Sequence, residues 1–249
     1  MGERVLTVRL RAPVASFRRP LDHNYQRTLP LPPPTTILGI AGAALGYNDK
    51  ELWKEDGIWR RLKVSAWMEA QPGRARDLWT VLKIKNGKIE ARSPYIRELL
   101  FSVDYFLIYG GDTELLNELS EAFCDPAYPL SLGREDELAA LVEVSFQKAL
   151  PGDKPPVFHG TMIPADIRNL RSFRPILRES AAFEPPLVEK LPVRFGIDEK
   201  KGTRQALQMQ TITFLPYGIQ VEIHDHDIEA WKVRDRTFVW FQFGTEKNA

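Results

Sequence analysis

Arg18 and Arg19 stand side by side in the stretch Ser16–Gly46, SFRRPLDHNYQRTLPLPPPTTILGIAGAALG. Two adjacent guanidinium forks offer planar, permanently charged donors suited to phosphate oxygens. Alone, such a pair is most often a solvated pair of loop arginines. His23 and Tyr25 follow, close to Arg27, and invite an acid–base role that a plain solvated loop explains better. The glycines of GIAGAALG suggest a nucleotide cradle, but Gly39, Gly42 and Gly46 do not give G-x-G-x-x-G, and no Lys-Ser/Thr pair follows. No dinucleotide, ATP or other cofactor is expected. His224-Asp225-His226-Asp227 resembles a ligand cluster, yet on a strand its imidazoles and carboxylates point to opposite faces. Two imidazoles without further ligands do not make a zinc site, so no metal is expected. Neither a G-x-S-x-G elbow nor an H-E-x-x-H helix is present. Arg168, Arg171, Arg174 and Arg178 recur every three or four residues and would form one basic stripe if helical, although Pro175 interrupts it.

These residues need elements to position them. Val5–Leu10 alternates as a half-buried first strand. Pro30, Pro32, Pro33 and Pro34 force extended backbone. Thr35 and Thr36 then offer an N-cap to a helix of small residues, which Gly46 and Asn48 stop. Its glycines predict close packing on a sheet. Lys50–Leu62 reads as a second helical piece and Lys63–Ala70 as a strand. Leu78–Ile84 and Lys88–Arg92 flank Asn86-Gly87, a strong hairpin signal. Phe101–Tyr109 is a strand with Val103, Tyr105, Leu107 and Tyr109 on one face. Thr113–Phe123 is a helix capped by Asp112, Glu137–Leu141 a short helix, and Val142–Phe146 a closing strand. This order is that of an α+β, ferredoxin-like or RRM-like fold with an inserted hairpin. The predicted division is an RRM-like domain over 1–150, with the hairpin around 78–92, and an irregular then β-rich region over 151–249. In the latter, Gln208–Phe214, Gly218–Ile223 and Thr237–Phe243 alternate.

At 249 residues and 43% hydrophobic composition, the chain can bury a substantial core. Its net charge of +1 argues against a wholly basic nucleic-acid binder. The charge is nevertheless local: residues 1–27 hold six arginines against two carboxylates, and residues 83–97 five cations against one. Cys124 is the only cysteine, which excludes an internal disulfide and fits a reducing, cytoplasmic setting. No leader and no apolar run near a membrane span are visible, so no membrane association is expected. Trp53, Trp59, Trp67 and Trp79 belong either to partner interfaces or to the core.

The Ser16–Gly46 stretch, RELLFSVDYFLIYGG at Arg97–Gly111 and YPLSLGREDEL at Tyr128–Leu138 have the type and order found in the CRISPR-associated Cas five (Cas5) family. The chain resembles that family over roughly its first 150 residues. The resemblance implies a subunit at the 5′ handle of the guide RNA (crRNA) in type I interference (Cascade) complexes. That subunit joins the repeating backbone subunit to the large, PAM-reading subunit and meets target DNA through the assembled complex. It also implies that the Arg18–Arg19 loop contacts RNA and that a hairpin thumb touches RNA and the neighbouring subunit. Local basic patches suit a defined RNA path, so Arg11, Arg18, Arg19, Arg27, Lys83, Lys85, Lys88 and Arg92 are the expected RNA-binding residues. One branch of the family is a metal-independent endoribonuclease associated with a Tyr and an adjacent Lys-His pair. This sequence has no Lys-His dipeptide, so a non-catalytic role is expected.

Overall fold

In a computed structural model, the protein is described over residues 2–170, 172–177, 184–198, 200–225 and 227–243. The elements run β1 (Glu3–Ala15), β2 (Tyr25–Gln26), α1 (Pro34–Leu45), α2 (Asp49–Trp53), β3 (Lys63–Met68), β4 (Gly73–Lys85), β5 (Lys88–Gly110), α3 (Thr113–Cys124) and β6 (Ala140–Pro151). The remainder contributes β7 (Val157–Phe158), β8 (Met162–Ile163), β9 (Phe173–Leu177), β10 (Leu187–Ile197), β11 (Arg204–Phe214), β12 (Ile219–Ile223), β13 (Ala230–Val233), β14 (Arg236–Val239) and β15 (Phe241–Gln242). The architecture is mostly β, with a few short helices.

The main sheet has the order β14-β13-β6-β1-β5-β3-β15, and each neighbouring pair along it is antiparallel. Helices α1 and α3 cover one face. The alternation that predicted Val103, Tyr105, Leu107 and Tyr109 on one side holds: all four are buried there, and the tyrosines tie the sheet to what covers it. The Tyr105 hydroxyl donates to the Pro30 carbonyl at 2.8 Å, and that of Tyr109 to the Ile37 carbonyl at 3.0 Å. Burial of each ring contributes roughly 2–3 kcal/mol. The opposite face is covered by the C-terminal strands: Trp67 stacks on Phe106 at 5.2 Å, with Phe238 and Trp240 beside them. Trp53, Trp59 and Trp67 are therefore core residues, whereas Trp79 is only half-buried.

Residues beyond 150 do not stand apart as one unit. β13, β14 and β15 join both edges of the main sheet, while β10-β11-β8 and β7-β12-β9 form two three-stranded sheets. Only a long-range pairing produces this, and local alternation does not reveal pairing partners.

Several local expectations are corrected. Pro33 occupies the N-cap of α1 and Pro34 its first position, with no side-chain cap from Thr35 or Thr36. Proline needs no N–H there and presets φ, so the helix begins before the threonines. Gly46 ends it with φ 80°. Asn48 and Glu51 form a capping box that opens α2. The predicted 50–62 helix is thereby reduced to α2 and a 3₁₀ turn at Ile58–Arg60. The arm Lys88–Arg92 and the strand Phe101–Tyr109 are one continuous strand, β5, with Ser102 in the left-handed region at φ 52°. Glu137–Leu141 is not helical. The stripe of arginines is not helical either: Arg168 lies in a 3₁₀ turn bonded to Asp166, and Arg174 lies on β9. Arg171, Arg178 and His226 fall outside the described residues.

The helix glycines do not face the sheet. A Cβ at Gly42 would meet the Leu52 side chain of α2 at 3.1 Å, and a Cβ at Gly39 would meet nothing within 4 Å. Gly39→Ala is accordingly expected to stabilise the protein by about 0.5–1 kcal/mol through reduced backbone entropy of the unfolded chain. Thermal unfolding checks this, and a lower melting temperature would show that α1 tolerates no side chain there.

Candidate nucleic-acid interface

The segment following β1 folds back on itself. The Leu29 amide donates to the Phe17 carbonyl at 2.8 Å, the Arg19 amide to the Arg27 carbonyl at 3.0 Å, and Arg18 bridges Thr28. Inside this loop the buried Asp22 carboxylate accepts from the Arg27 amide and guanidinium, both at 2.7 Å. Those bonds, the guanidinium's first, hold the Asp22 carboxyl below the usual carboxylate range against the opposing effect of burial. Its stabilising contribution is complete above the unfolded carboxylate value of about 4 and is lost as pH falls through the lower folded value. Asp22→Asn is expected to flatten the fall in melting temperature between about pH 5 and pH 3. Parallel slopes for wild type and variant would contradict it.

A second segment, Tyr128–Leu138, is pinned to this loop. Glu137 is 4% exposed, and its carboxylate accepts from the Ser16 amide at 2.9 Å, the Ser16 hydroxyl at 2.6 Å and the Arg134 amide at 2.8 Å. Gly133 makes the turn, with φ 128°, and leaves no room for a Cβ beside the Ser16 carbonyl oxygen. Buried Glu137 thus anchors a turn where the sequence predicts the start of a short helix.

Between the arginine loop, the outer face of α1, the 128–133 turn and β10 lies a groove of about 710 Å³. Arg18, Arg19 and His23 line it together with Thr36, Gly39 and Tyr128. Arg18 is exposed, and among the described residues its guanidinium donates only to the Asp22 carbonyl and pairs with no carboxylate. Arg19 is different: it lies 2.5 Å from Glu189 of β10, with both side chains 18% exposed. It fastens the loop to the C-terminal part. Leu21, at the tip of the loop, has φ 66° and is 92% exposed, an apolar side chain beside the groove. Arg27 lines an adjoining cavity.

The other expected residues are elsewhere. Arg11 is on the sheet face away from α1 and shares Asp104 with Arg9, at 2.6 and 2.8 Å. Burial pushes the Asp104 carboxyl up, but the bonds from Arg9 and Arg11 together outweigh it and hold it below the usual range. Lys83, Lys85, Lys88 and Arg92 are exposed on the outer part of the β4–β5 hairpin, away from both cavities. Asn86 and Gly87 turn the hairpin with φ 52° and 73°. Four apolar residues, Leu78, Leu82, Ile84 and Ile89, are between 46% and 70% exposed on it. Arg97, Arg134, Arg204 and Trp79 also line the cavities. Arg134 belongs to the YPLSLGREDEL segment, where the R following LG was the available signal, and Arg97 opens RELLFSVDYFLIYGG and ends the 83–97 basic patch; Trp79 stood only as a core or interface residue, and Arg204 gave no signal.

Two of the three segments that carry the sequence resemblance, Ser16–Gly46 and Tyr128–Leu138, wall the groove. A family model described as CRISPR-associated protein (Cas_Cas5) matches residues 5–205. The chain belongs to the CRISPR-associated Cas5 family. Among curated proteins none matches this Cas5 chain in sequence. Its fold is similar to that of a chain in a CRISPR RNA-guided surveillance complex, at 16% identity, covering 90% of this chain and 91% of that one, with a TM-score of 0.53. It is likewise similar to a CRISPR protein from Archaeoglobus fulgidus, at 14% identity, 96% and 99% coverage, with a TM-score of 0.55. No described helix of the Cas5 chain is long and apolar enough to cross a membrane. Among its described residues no three His, Cys, Asp or Glu side chains are grouped as metal ligands.

Proposed function

We propose that this Cas5 chain is a non-catalytic, cytoplasmic, crRNA-binding subunit of a type I CRISPR interference (Cascade) complex. It caps the 5′ handle of the guide and bridges the backbone and large subunits. The observation that carries this is the convergence of the arginine loop, α1 and the 128–133 turn, segments a hundred residues apart, on one groove with an unpaired guanidinium, that of Arg18. Single-stranded RNA is held by such a combination of cationic donors and apolar platforms, and Leu21 is placed to supply one of the latter. The strand order β6-β1-β5-β3, with both longer helices on one face, supports an RRM-like reading of the first 150 residues. The basic and apolar residues of the hairpin suit RNA and a neighbouring subunit respectively. Target DNA is reached through the assembled complex, and base pairing to the guide reads its sequence.

Grip rather than cleavage is supported by the state of the loop's candidate acid–base groups. The Tyr25 hydroxyl donates to Glu98 at 2.6 Å, and this bond, with some burial, raises its pKa, the wrong direction for a base. Outside the loop, His159 lies against Arg236, at 2.6 Å, and does not line the groove.

The test is to purify the tagged chain gently from its native host and sequence the 5′ ends of co-purifying RNA. RNAs sharing one repeat-derived 5′ tag followed by varied spacers are expected. A folded chain carrying no RNA would overturn the proposal. Cleavage of labelled repeat RNA in EDTA by the purified chain would overturn its non-catalytic part.

A further inference from the structure

Beneath the root of the hairpin is a second cavity, of about 410 Å³, that shares Arg18, Thr36 and Gly133 with the groove. Guanidinium groups of Arg27, Arg97 and Arg134 also line it. Their carboxylate partners, Asp22, Asp77 and Asp136, are not on its wall, the last of them 3.8 Å from Arg134. A guanidinium carries five N–H donors, and one carboxylate occupies at most two of them, so each retains donors. Among the described residues Glu98 is the one carboxylate on the wall, and its oxygens already accept from the Tyr25 hydroxyl and, at 3.3 Å, the Thr28 amide.

Trp79 organises this wall. Arg134 lies 4.3 Å and Arg97 5.3 Å from its ring, and Tyr95 meets it edge-on at 6.5 Å. Its ring is thus already covered, but its indole N–H is buried with no acceptor. That nitrogen is sealed from the cavity, so what faces the cavity is the spare guanidinium donors, which suit a ligand that only accepts.

We propose that this cavity binds one phosphate group of the RNA whose backbone occupies the groove, an inference that rests on the RNA-binding function proposed above. The phosphate oxygens accept from Arg97 and Arg134, and Arg18 stands where groove and cavity meet. The phosphate is either an internal diester or a 5′-terminal monoester.

Anisotropy of 3′-fluorescein-labelled single-stranded RNAs tests this with the full chain. Arg97→Gln deletes one of the two guanidinium groups and is expected to bind about tenfold more weakly. Arg134→Gln provides an independent variant with the same expected loss if Arg97→Gln melts early. For a terminal phosphate, wild type prefers 5′-phosphate over 5′-hydroxyl RNA about tenfold and both variants lose that preference. For an internal one, a single methylphosphonate linkage at one position weakens wild type but not the variants. If both variants bind every RNA as wild type does while Arg18→Ala weakens them all, the groove stands and this cavity is not a phosphate site. If Arg18→Ala is also silent, both ideas fail. Binding of oligoglutamate as tight as that of RNA would overturn the proposal in favour of an acidic peptide.

Discussion

Replacing Arg18 by alanine is expected to weaken binding of single-stranded RNA about ten- to a hundredfold while leaving the melting temperature almost unchanged. The guanidinium is exposed, its only bond among the described residues goes to the Asp22 carbonyl, and no described carboxylate depends on it. A charge-assisted bond to a phosphate contributes about 1.5–3 kcal/mol, which is the source of that factor. Its neighbour is expected to behave in the opposite way. Arg19→Ala leaves Glu189 largely out of water without its partner at 2.5 Å, a loss of about 2 kcal/mol. In a chain of this size that lowers the melting temperature by about 4–8 °C. Anisotropy and thermal melts on the two variants separate the roles. Loss of RNA binding by Arg19→Ala at unchanged stability would mean that the two arginines have been assigned the wrong way round.

Gly133→Ala is expected to be the most damaging single methyl group in the protein. Its Cβ would lie 2.0 Å from the Ser16 carbonyl oxygen and 2.3 Å from the Glu137 carboxylate, at a φ of 128° that side chains avoid. The backbone of Ser16 cannot yield without releasing the bonds that join β1 to the 128–138 segment. A loss of about 3–4 kcal/mol follows, or roughly 10 °C in melting temperature, together with loss of the groove wall. Glu137→Gln keeps the shape and most acceptors and is expected to lie well between the two. If Gly133→Ala melts like wild type, the turn is not the rigid pin described above.

What the sequence revealed was mostly local. The Asn86-Gly87 turn, the alternation of β1 and of residues 103–109, and the Asp112 cap on α3 each depend on a handful of neighbouring residues, and each is found. What it concealed depends on pairing over long distances. Nothing near Arg11 announces Asp104, 93 residues away, and nothing near Glu137 announces Ser16, 121 residues away. Those partners decide that the first side chain is committed to an ion pair and the second to the interior. For the same reason nothing near Arg97 or Arg134 announces that the two line one cavity. The arginine loop and α1 were visible as a unit because they are contiguous, whereas the wall opposite them comes from the other end of the chain.

Strand β5 runs without a break from the hairpin turn into the centre of the sheet. Its first half is paired with β4 in a two-stranded ribbon of roughly 40 Å; its second half is held on both sides by β1 and β3. Mechanically this is a cantilever whose fixed end is the protein core. Such a beam resists bending along its strands far better than twisting about its own axis. A torque applied at Lys85–Lys88 by whatever grips the ribbon is resisted first where the beam is clamped, at Ile96–Glu98. There β2 pairs with Ile96 and Arg97, and Glu98 holds Tyr25 and Thr28 of the arginine loop. Rotation of the outer ribbon is therefore felt as load on the loop that carries Arg18.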